Sequence, residues 1–142
     1  MQCPKCKSVD LRGVTVKKTG VRVDSCRQCK GVWFDAEELE SLLDVAAKEL
    51  EIPLNAEKSV SSSCPRCGKP LFHFQYPQTY VYVDMCKKCG GLWLDAGEFN
   101  EVKAVRQSLE KTGQLEEYAP PAGVKGGLIR FIDVALEAFQ QS

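Results

Sequence analysis

Eight cysteines stand in this 142-residue chain as four C-x-x-C pairs: Cys3/Cys6, Cys26/Cys29, Cys64/Cys67 and Cys86/Cys89. Two residues between cysteines let both sulfurs of a tight turn point into one coordination sphere. Two such turns brought together by a hairpin make a tetrahedral four-thiolate site. The pairs therefore predict two metal sites: Cys3, Cys6, Cys26 and Cys29 in one, Cys64, Cys67, Cys86 and Cys89 in the other. With every position filled by sulfur, neither site has room for water or substrate, so each is structural and not catalytic.

Zinc is the expected ion, one per site. Iron held as in rubredoxin, for electron transfer, is the competing occupant, because its turns also read C-P-x-C-G and thiolate softness suits both metals. Disulfides are disfavoured by the compartment: "MQCPKCKSVD" lacks the apolar core of a signal peptide, which places the chain in the cytoplasm. A thioredoxin-like redox pair needs a βαβ context that is missing. His73, the single histidine, reads as a strand side chain facing solvent.

The elements that must position these sulfurs are written twice. Arg22–Leu39 laid over Tyr82–Phe99 matches at nine of eighteen positions, and "CPKC" repeats as "CPRC". This is a tandem duplication. "GVTVKKTGVRVDSC" reads as a hairpin with Val14 and Val16 facing Val21 and Val23 across "KKTG". "LFHFQYPQTYVYVDMC" does the same across "YPQT". Gly31 and Gly91 follow their pairs where a metal turn needs permissive backbone. Trp33 and Trp93 sit on a short third strand and read as covers for the metal site, between ribbon and helix.

Asp35 and Glu38, like Asp95 and Glu98, look like a catalytic carboxylate pair, but helix capping explains them better. Asp at N-cap and Glu at N3 form a variant capping box. Phe34 with Leu39, and Leu94 with Phe99, fall at the staple positions. An amphipathic helix follows each ribbon: Leu39, Leu42, Leu43, Ala46, Ala47 and Leu50 face one way in the first, and Phe99, Val102, Val105 and Leu109 in the second. Gly97 is a poor residue for a helical first turn.

The expected class is therefore a small metal-bound α+β protein of two tandem zinc ribbons, each a hairpin plus a short third strand followed by a helix. Residues 1–52 form the first module, 53–63 a serine-rich flexible linker, and 64–112 the second module. A Pro/Gly spacer covers 113–127 and a C-terminal amphipathic helix 128–142. A module of about 50 residues buries too little apolar surface to fold comfortably alone. Structural zinc, at an apparent ~10–16 kcal/mol, makes up the difference. The linker implies that each module folds independently.

These residues resemble the transcription factor IIB-type zinc-ribbon family of small prokaryotic proteins, whose pattern runs C-P-x-C, a hairpin, then C-x-x-C-x-G-x-W-L-D-x-G-E-L. Copy one matches at Cys3, Pro4, Cys6, Cys26, Cys29, Gly31, Trp33, Asp35, Glu38 and Leu39. Phe34 replaces the leucine and Glu37 the glycine. Copy two matches at Cys64, Pro65, Cys67, Cys86, Cys89, Gly91, Trp93, Leu94, Asp95, Gly97 and Glu98, with Phe99 for the final leucine. The resemblance implies the ribbon fold and zinc, and it leans towards transcription.

Charge narrows the partners. The chain carries 19 basic and 19 acidic residues, without the overall basicity of a typical DNA binder. The distribution is uneven, however: Met1–Phe34 holds eight Lys/Arg against two Asp, and Asp35–Glu51 holds seven acids against one lysine. Lys5, Lys7, Arg12, Lys17, Lys18, Arg22, Arg27 and Lys30 form a basic face that suits phosphate. Phe72, Phe74, Tyr76, Tyr80 and Tyr82 alternate between two faces of ribbon two, a stacking platform or a core. In the C-terminal helix, Leu128, Ile132, Ala135, Leu136 and Phe139 line one side. That side suits folding back on the ribbons, self-association or a protein partner's groove. No apolar run approaches the ~20 residues of a membrane span. The expectation is a non-enzymatic adaptor for a protein and/or nucleic acid.

Overall fold

The computed structural model describes residues 1–17, 20–43, 52–75, 81–98, 100–104 and 134–139. In copy one, strands β1 (Arg12–Thr15) and β2 (Arg22–Ser25) pair antiparallel with Val14 opposite Val23. The hairpin closes through Val16 N–H to Val21 O and Gly20 N–H to Val16 O, both 2.8 Å. Gly20 takes φ 72°, which its missing Cβ allows. Strand β3 (Val32–Phe34) joins β2, and helix α1 (Ala36–Leu43) follows it directly.

Strand β4 (Glu57–Ser63) comes next. Copy two then repeats the ribbon as β5 (Pro70–Gln75), β6 (Tyr82–Met85) and β7 (Leu92–Leu94). After β7 a single 3-10 turn, Ala96–Glu98, stands where a helix start was expected, and residues 100–104 are helical. Gly97 fits this turn: its N–H donates to Asp95 Oδ1 at 3.0 Å. The "YPQT" turn, most of 44–52, the spacer 113–127 and the start of the C-terminal helix lie outside the described residues.

Two expectations are corrected. The segment 57–63 is not a flexible linker; it forms β4 and pairs with β5. A polar, serine-rich stretch also suits an edge strand, which needs little apolar surface. Between Lys58↔Phe72 and Ser63↔Pro70 the register shifts. There Ser59 Oγ accepts from the backbone N–H of Ser61 (3.3 Å) and Ser62 (2.9 Å), replacing ladder bonds.

The two modules are also not structurally separate. All seven strands form one sheet in the order β1-β2-β3-β7-β6-β5-β4. At its centre β3 and β7 pair antiparallel, Val32 opposite Leu94, Trp33 opposite Trp93 and Phe34 opposite Leu92. Each third strand is three residues long and wholly buried. A strand so placed needs a neighbour on both sides, and the other copy supplies the second one.

The sheet has two different faces. One carries a core that runs through both copies: Val23, Val32, Phe34, Phe74, Val83, Met85, Leu92 and Leu94, with Leu39 and Val102 from the helical segments. Val134, Ala135 and Ala138 are fully buried in that core, with Leu136 and Phe139 partly buried beside them. Of the fates open to the C-terminal helix, its described turn thus takes the first: it packs on the chain's own sheet. The other face carries Trp33, Trp93, Leu71 and the cysteines. No helix among the described residues is long and apolar enough to cross a membrane.

Candidate metal centres

Each metal turn is built the same way. The first cysteine's carbonyl accepts from the N–H four residues on: Lys7 to Cys3 (2.9 Å), Lys30 to Cys26 (3.0 Å), Gly68 to Cys64 and Gly90 to Cys86 (2.9 Å each). Those four residues all have positive φ, between 63° and 76°. Inside each turn, backbone N–H groups point at sulfur. Cys6 N–H lies 3.3 Å from Cys3 Sγ, Cys29 N–H 3.4 Å from Cys26 Sγ, Arg66 N–H 3.4 Å from Cys64 Sγ, and Cys89 N–H 3.3 Å from Cys86 Sγ. Such donors stabilise thiolate over thiol.

The hairpins bring the turns together as the sequence proposed. Cys3, Cys6, Cys26 and Cys29 place their sulfurs within 4.8 Å of one another, and so do Cys64, Cys67, Cys86 and Cys89. The closest approaches are 3.6 Å for Cys3–Cys29, 3.9 Å for Cys6–Cys26 and 3.6 Å for Cys67–Cys86. Four sulfurs at about 2.3 Å from one zinc ion stand about 3.8 Å apart at tetrahedral corners. A disulfide requires about 2.05 Å, and all eight thiols are free. The donor set and its spacing fit a four-thiolate ion.

The sulfurs differ in readiness to ionise. Burial pushes Cys64 up to about 12 and Cys29 to about 11. It works the same way on Cys26, but the backbone N–H groups of Cys29 and Gln28, together with hydrogen bonds from the Cys29 and Cys3 side chains, bring that thiol down to about 7. Cys67 is lowered to about 7, chiefly by the Lys69 N–H. A cation is what makes four ionised sulfurs compatible in such a space, and binding it releases their protons.

The tryptophans cluster with the cysteines, as expected of covers for the metal sites, and not with the described helical residues Leu39 and Val102, which belong to the core on the other face. Each indole packs over the glycine of the opposite copy. A Cβ on Gly91 would fall inside the Trp33 ring, and one on Gly31 inside the Trp93 ring. Gly31 and Gly91 are therefore required by close approach, and the positive-φ position of each turn sits one residue earlier, at Lys30 and Gly90.

A second exchange accompanies the first. The variable residue of each C-P-x-C turn reaches the aspartate after the other copy's tryptophan. Arg66 forks onto Asp35, with Nε to Oδ1 at 2.5 Å and Nη2 to Oδ2 at 2.8 Å, while Lys5 Nζ meets Asp95 Oδ2 at 3.0 Å. The Arg66 hydrogen bond, aided by Trp33 Nε1–H at 2.9 Å, holds Asp35 below its ordinary range. The expected capping box is split between the copies. Glu38 Oε2 accepts from Asp35 N–H at 2.7 Å, whereas in copy two Asp95 caps Gly97 and Glu98 Oε1 accepts from Tyr82 N–H at 3.0 Å.

Sequence reasoning missed this cross-copy lattice. One signal was available: the variable residue of C-P-x-C is basic in both copies, and the Asp after W-x is repeated. Asp24, Asp35 and Glu38 also draw their carboxylates within 4.8 Å, and Arg66 supplies the opposing charge. His73 is exposed as expected but engaged, with Nδ1 2.9 Å from Asp84 Oδ1 and its ring stacked on Tyr82 at 4.9 Å.

Comparison with known families places this geometry. A family model described as transcription factor zinc-finger matches residues 2–45 and again 63–105, together more than half of the chain. No curated protein and no solved structure matches it.

Proposed function

Because the chain belongs to the transcription factor zinc-finger family, in two tandem copies, we propose that it is a zinc-organised adaptor without enzymatic activity. Cys3, Cys6, Cys26 and Cys29 hold one zinc ion; Cys64, Cys67, Cys86 and Cys89 hold a second. Its partner is a protein and/or a nucleic acid engaged in transcription. The observation that carries the reading is the pair of closed four-sulfur groups at tetrahedral spacing. Once bound, the ion supplies a cross-link between the two turns of each hairpin and no open coordination position. The chain's own part is to aim backbone N–H groups at the sulfurs and to lock the turns to the opposite copy through Arg66–Asp35 and Lys5–Asp95.

The basic side chains of copy one differ in how free they are for phosphate. On copy one, Lys7, Arg12, Lys17, Arg27 and Lys30 remain exposed. Lys5 is tied to Asp95, and the Arg22 guanidinium lies over Gly13; Lys18 is outside the described residues. The C-terminal turn spends its smallest apolar side chains inside the core, which favours turns and sheet edges as contact surfaces. Native mass spectrometry with a visible spectrum tests the metal: two zinc ions on a colourless protein are expected. A red protein with thiolate-to-iron charge-transfer bands would establish electron transfer instead. Cross-linking in extract, with and without prior chelation, tests the adaptor role, and partners indifferent to zinc removal would end it.

A further inference from the structure

A second basic surface lies on copy two, away from the face that the sequence singles out. A hollow of about 360 Å3 opens beside the second sulfur group, floored by Phe72 and Pro70 and rimmed by Lys58, Lys69, Lys87 and Lys88. Three pieces of chain build it. Lys58 faces Phe72 across the β4–β5 ladder, Lys69 follows the C-P-x-C turn, and Lys87 and Lys88 fill the gap between Cys86 and Cys89. All four lysines are exposed and Phe72 is half-buried. Among the described residues the ion pairs involve Lys5, Arg66 and His73, and none of these four. A zinc-loaded four-thiolate group at the base carries a formal charge of about −2, so four ammonium groups leave the mouth cationic. Lys87 Nζ rests 4.2 Å from the Phe72 ring centroid.

An apolar aromatic floor inside a cationic rim matches a nucleotide, with its base against the ring and its phosphates on the ammonium groups. We propose that this hollow binds single-stranded nucleic acid. An unpaired base stacks on Phe72 in place of Lys87, and Lys58, Lys69, Lys87 and Lys88 hold the flanking phosphates. Base stacking on an aromatic side chain is worth more than a solvent-exposed cation–π contact, so the exchange favours the bound state. The displaced ammonium stays within reach of the backbone. A duplex keeps its bases in the stack and offers only phosphates, so it loses the floor contact. Copy one has no such floor: opposite Ser25 it carries Arg12, where copy two carries Phe72 opposite Met85. The inference rests on the macromolecule-binding reading above and adds the ligand and its residues.

The test is fluorescence anisotropy of a labelled 12-nucleotide single strand with the zinc-loaded full chain, at about 50 and about 200 mM salt. Lys58→Glu/Lys88→Glu is expected to weaken binding at least about tenfold and to flatten the salt dependence by about one to two in log–log slope. Phe72→Leu keeps apolar volume and is expected to erase the preference for single strand over duplex while leaving the salt slope in place. Zinc content and thermal midpoint equal to the parent's show that each variant is folded. Unaltered binding in these variants, together with its loss in Lys7→Glu/Arg27→Glu/Lys30→Glu, overturns the hollow and leaves nucleic-acid binding by copy one standing. Equally tight binding of polyglutamate overturns it in favour of an acidic protein. A parent chain that binds no oligonucleotide at either salt removes the nucleic-acid arm of the proposed function as well, leaving the protein arm.

Discussion

In copy one a lysine occupies each left-handed position of the metal turns, Lys7 and Lys30; in copy two a glycine does, Gly68 and Gly90. Copy one's outer strand β1 ends the sheet, whereas copy two's β5 is covered by β4. Arg22 lies over Gly13 in the first, and Tyr82 stacks on His73 in the second. Against these differences stand the positions that the copies share. They are the sulfurs, the exchanged Trp33/Gly91 and Trp93/Gly31 contacts, the aspartates that meet the opposite turn, and the core valines Val23 and Val83. Identity between the repeats follows the metal and the seam between copies; divergence follows the outer edges. The duplicated phrase is thus half of an interface between the copies, and the pair is expected to fold as one unit.

The largest test of that view is to disable one metal site. Cys26→Ser is expected to cost about 5 kcal/mol or more, as much as a small domain's whole stability, because it removes a ligand from a structural zinc site. Both copies should then unfold in one transition, with Trp33 and Trp93 losing their environments together, since each is buried by the other copy. Thermal unfolding followed by tryptophan fluorescence and backbone NMR reads this. Copy two melting separately, with its signals intact after copy one is lost, would break the comparison.

Next in size is the seam. Gly91→Ala drives a methyl into the Trp33 ring and should cost about 1–3 kcal/mol, the usual range for overpacking. Gly31→Ala should cost about the same. A denaturant midpoint unmoved by either would mean that the indoles do not sit where the exchange puts them. The ion pairs sharpen the symmetry further. Arg66→Ala loses a two-pronged contact to a carboxylate that is 17% exposed, for about 1 kcal/mol. Lys5→Ala loses a single contact to one 33% exposed, for about 0.5 kcal/mol or less. Equal effects in the same midpoint assay would show that the two bridges are equivalent after all.

A pH-dependent asymmetry is expected from Glu38. Burial, reinforced by the nearby Asp35 and Asp24 charges, raises its carboxyl from about 4.5 to about 7. The folded state therefore holds this proton more tightly than the unfolded state does. Glu38's contribution is favourable below about 4.5 and is lost as pH rises towards 7. Glu38→Gln keeps an oxygen for the Asp35 N–H and removes the charge. It should stabilise the protein by about 1 kcal/mol at pH 8 and by less at pH 6, in paired denaturant titrations, after allowance for solvent screening. A pH-independent effect would assign Glu38 to packing alone.

Much of this was legible in the sequence because it is local. Cysteine spacing gives the metal turns, and valine alternation gives the β1–β2 hairpin with Val14 opposite Val23. What the sequence hid is non-local. Nothing in "VWF" or "LWL" states that the missing neighbour of each strand is the other one. "EKSVSSS" reads as linker because an edge strand demands hydrogen bonds more than apolar side chains. Gly31 and Gly91 were recognisable as required, but a glycine needed for φ and one needed for a neighbour's ring look alike until the partner is placed. The C-terminal helix was visible as apolar on one side; that its small residues, Val134 and Ala138, would be the ones in the core depends on how closely it approaches the sheet.

The smallest effect probes the lysine–glycine difference itself. An L-residue in the left-handed region costs about 1–2 kcal/mol, and glycine gives back about 0.5–1 kcal/mol of that in unfolded-state entropy. Lys30→Gly should therefore stabilise copy one's turn by about 0.5 kcal/mol, a rise of about 1–3 °C in thermal midpoint. The reverse change is not its mirror image. A side chain at Gly90 takes on the left-handed penalty, and its Cβ would also stand 3.3 Å from the Ala36 Cβ at the start of α1 in copy one. Gly90→Lys should thus lose more than Lys30→Gly gains. If the two shifts are equal and opposite, the turn of copy two makes no demand on copy one, and the seam is narrower than the exchanged tryptophans imply.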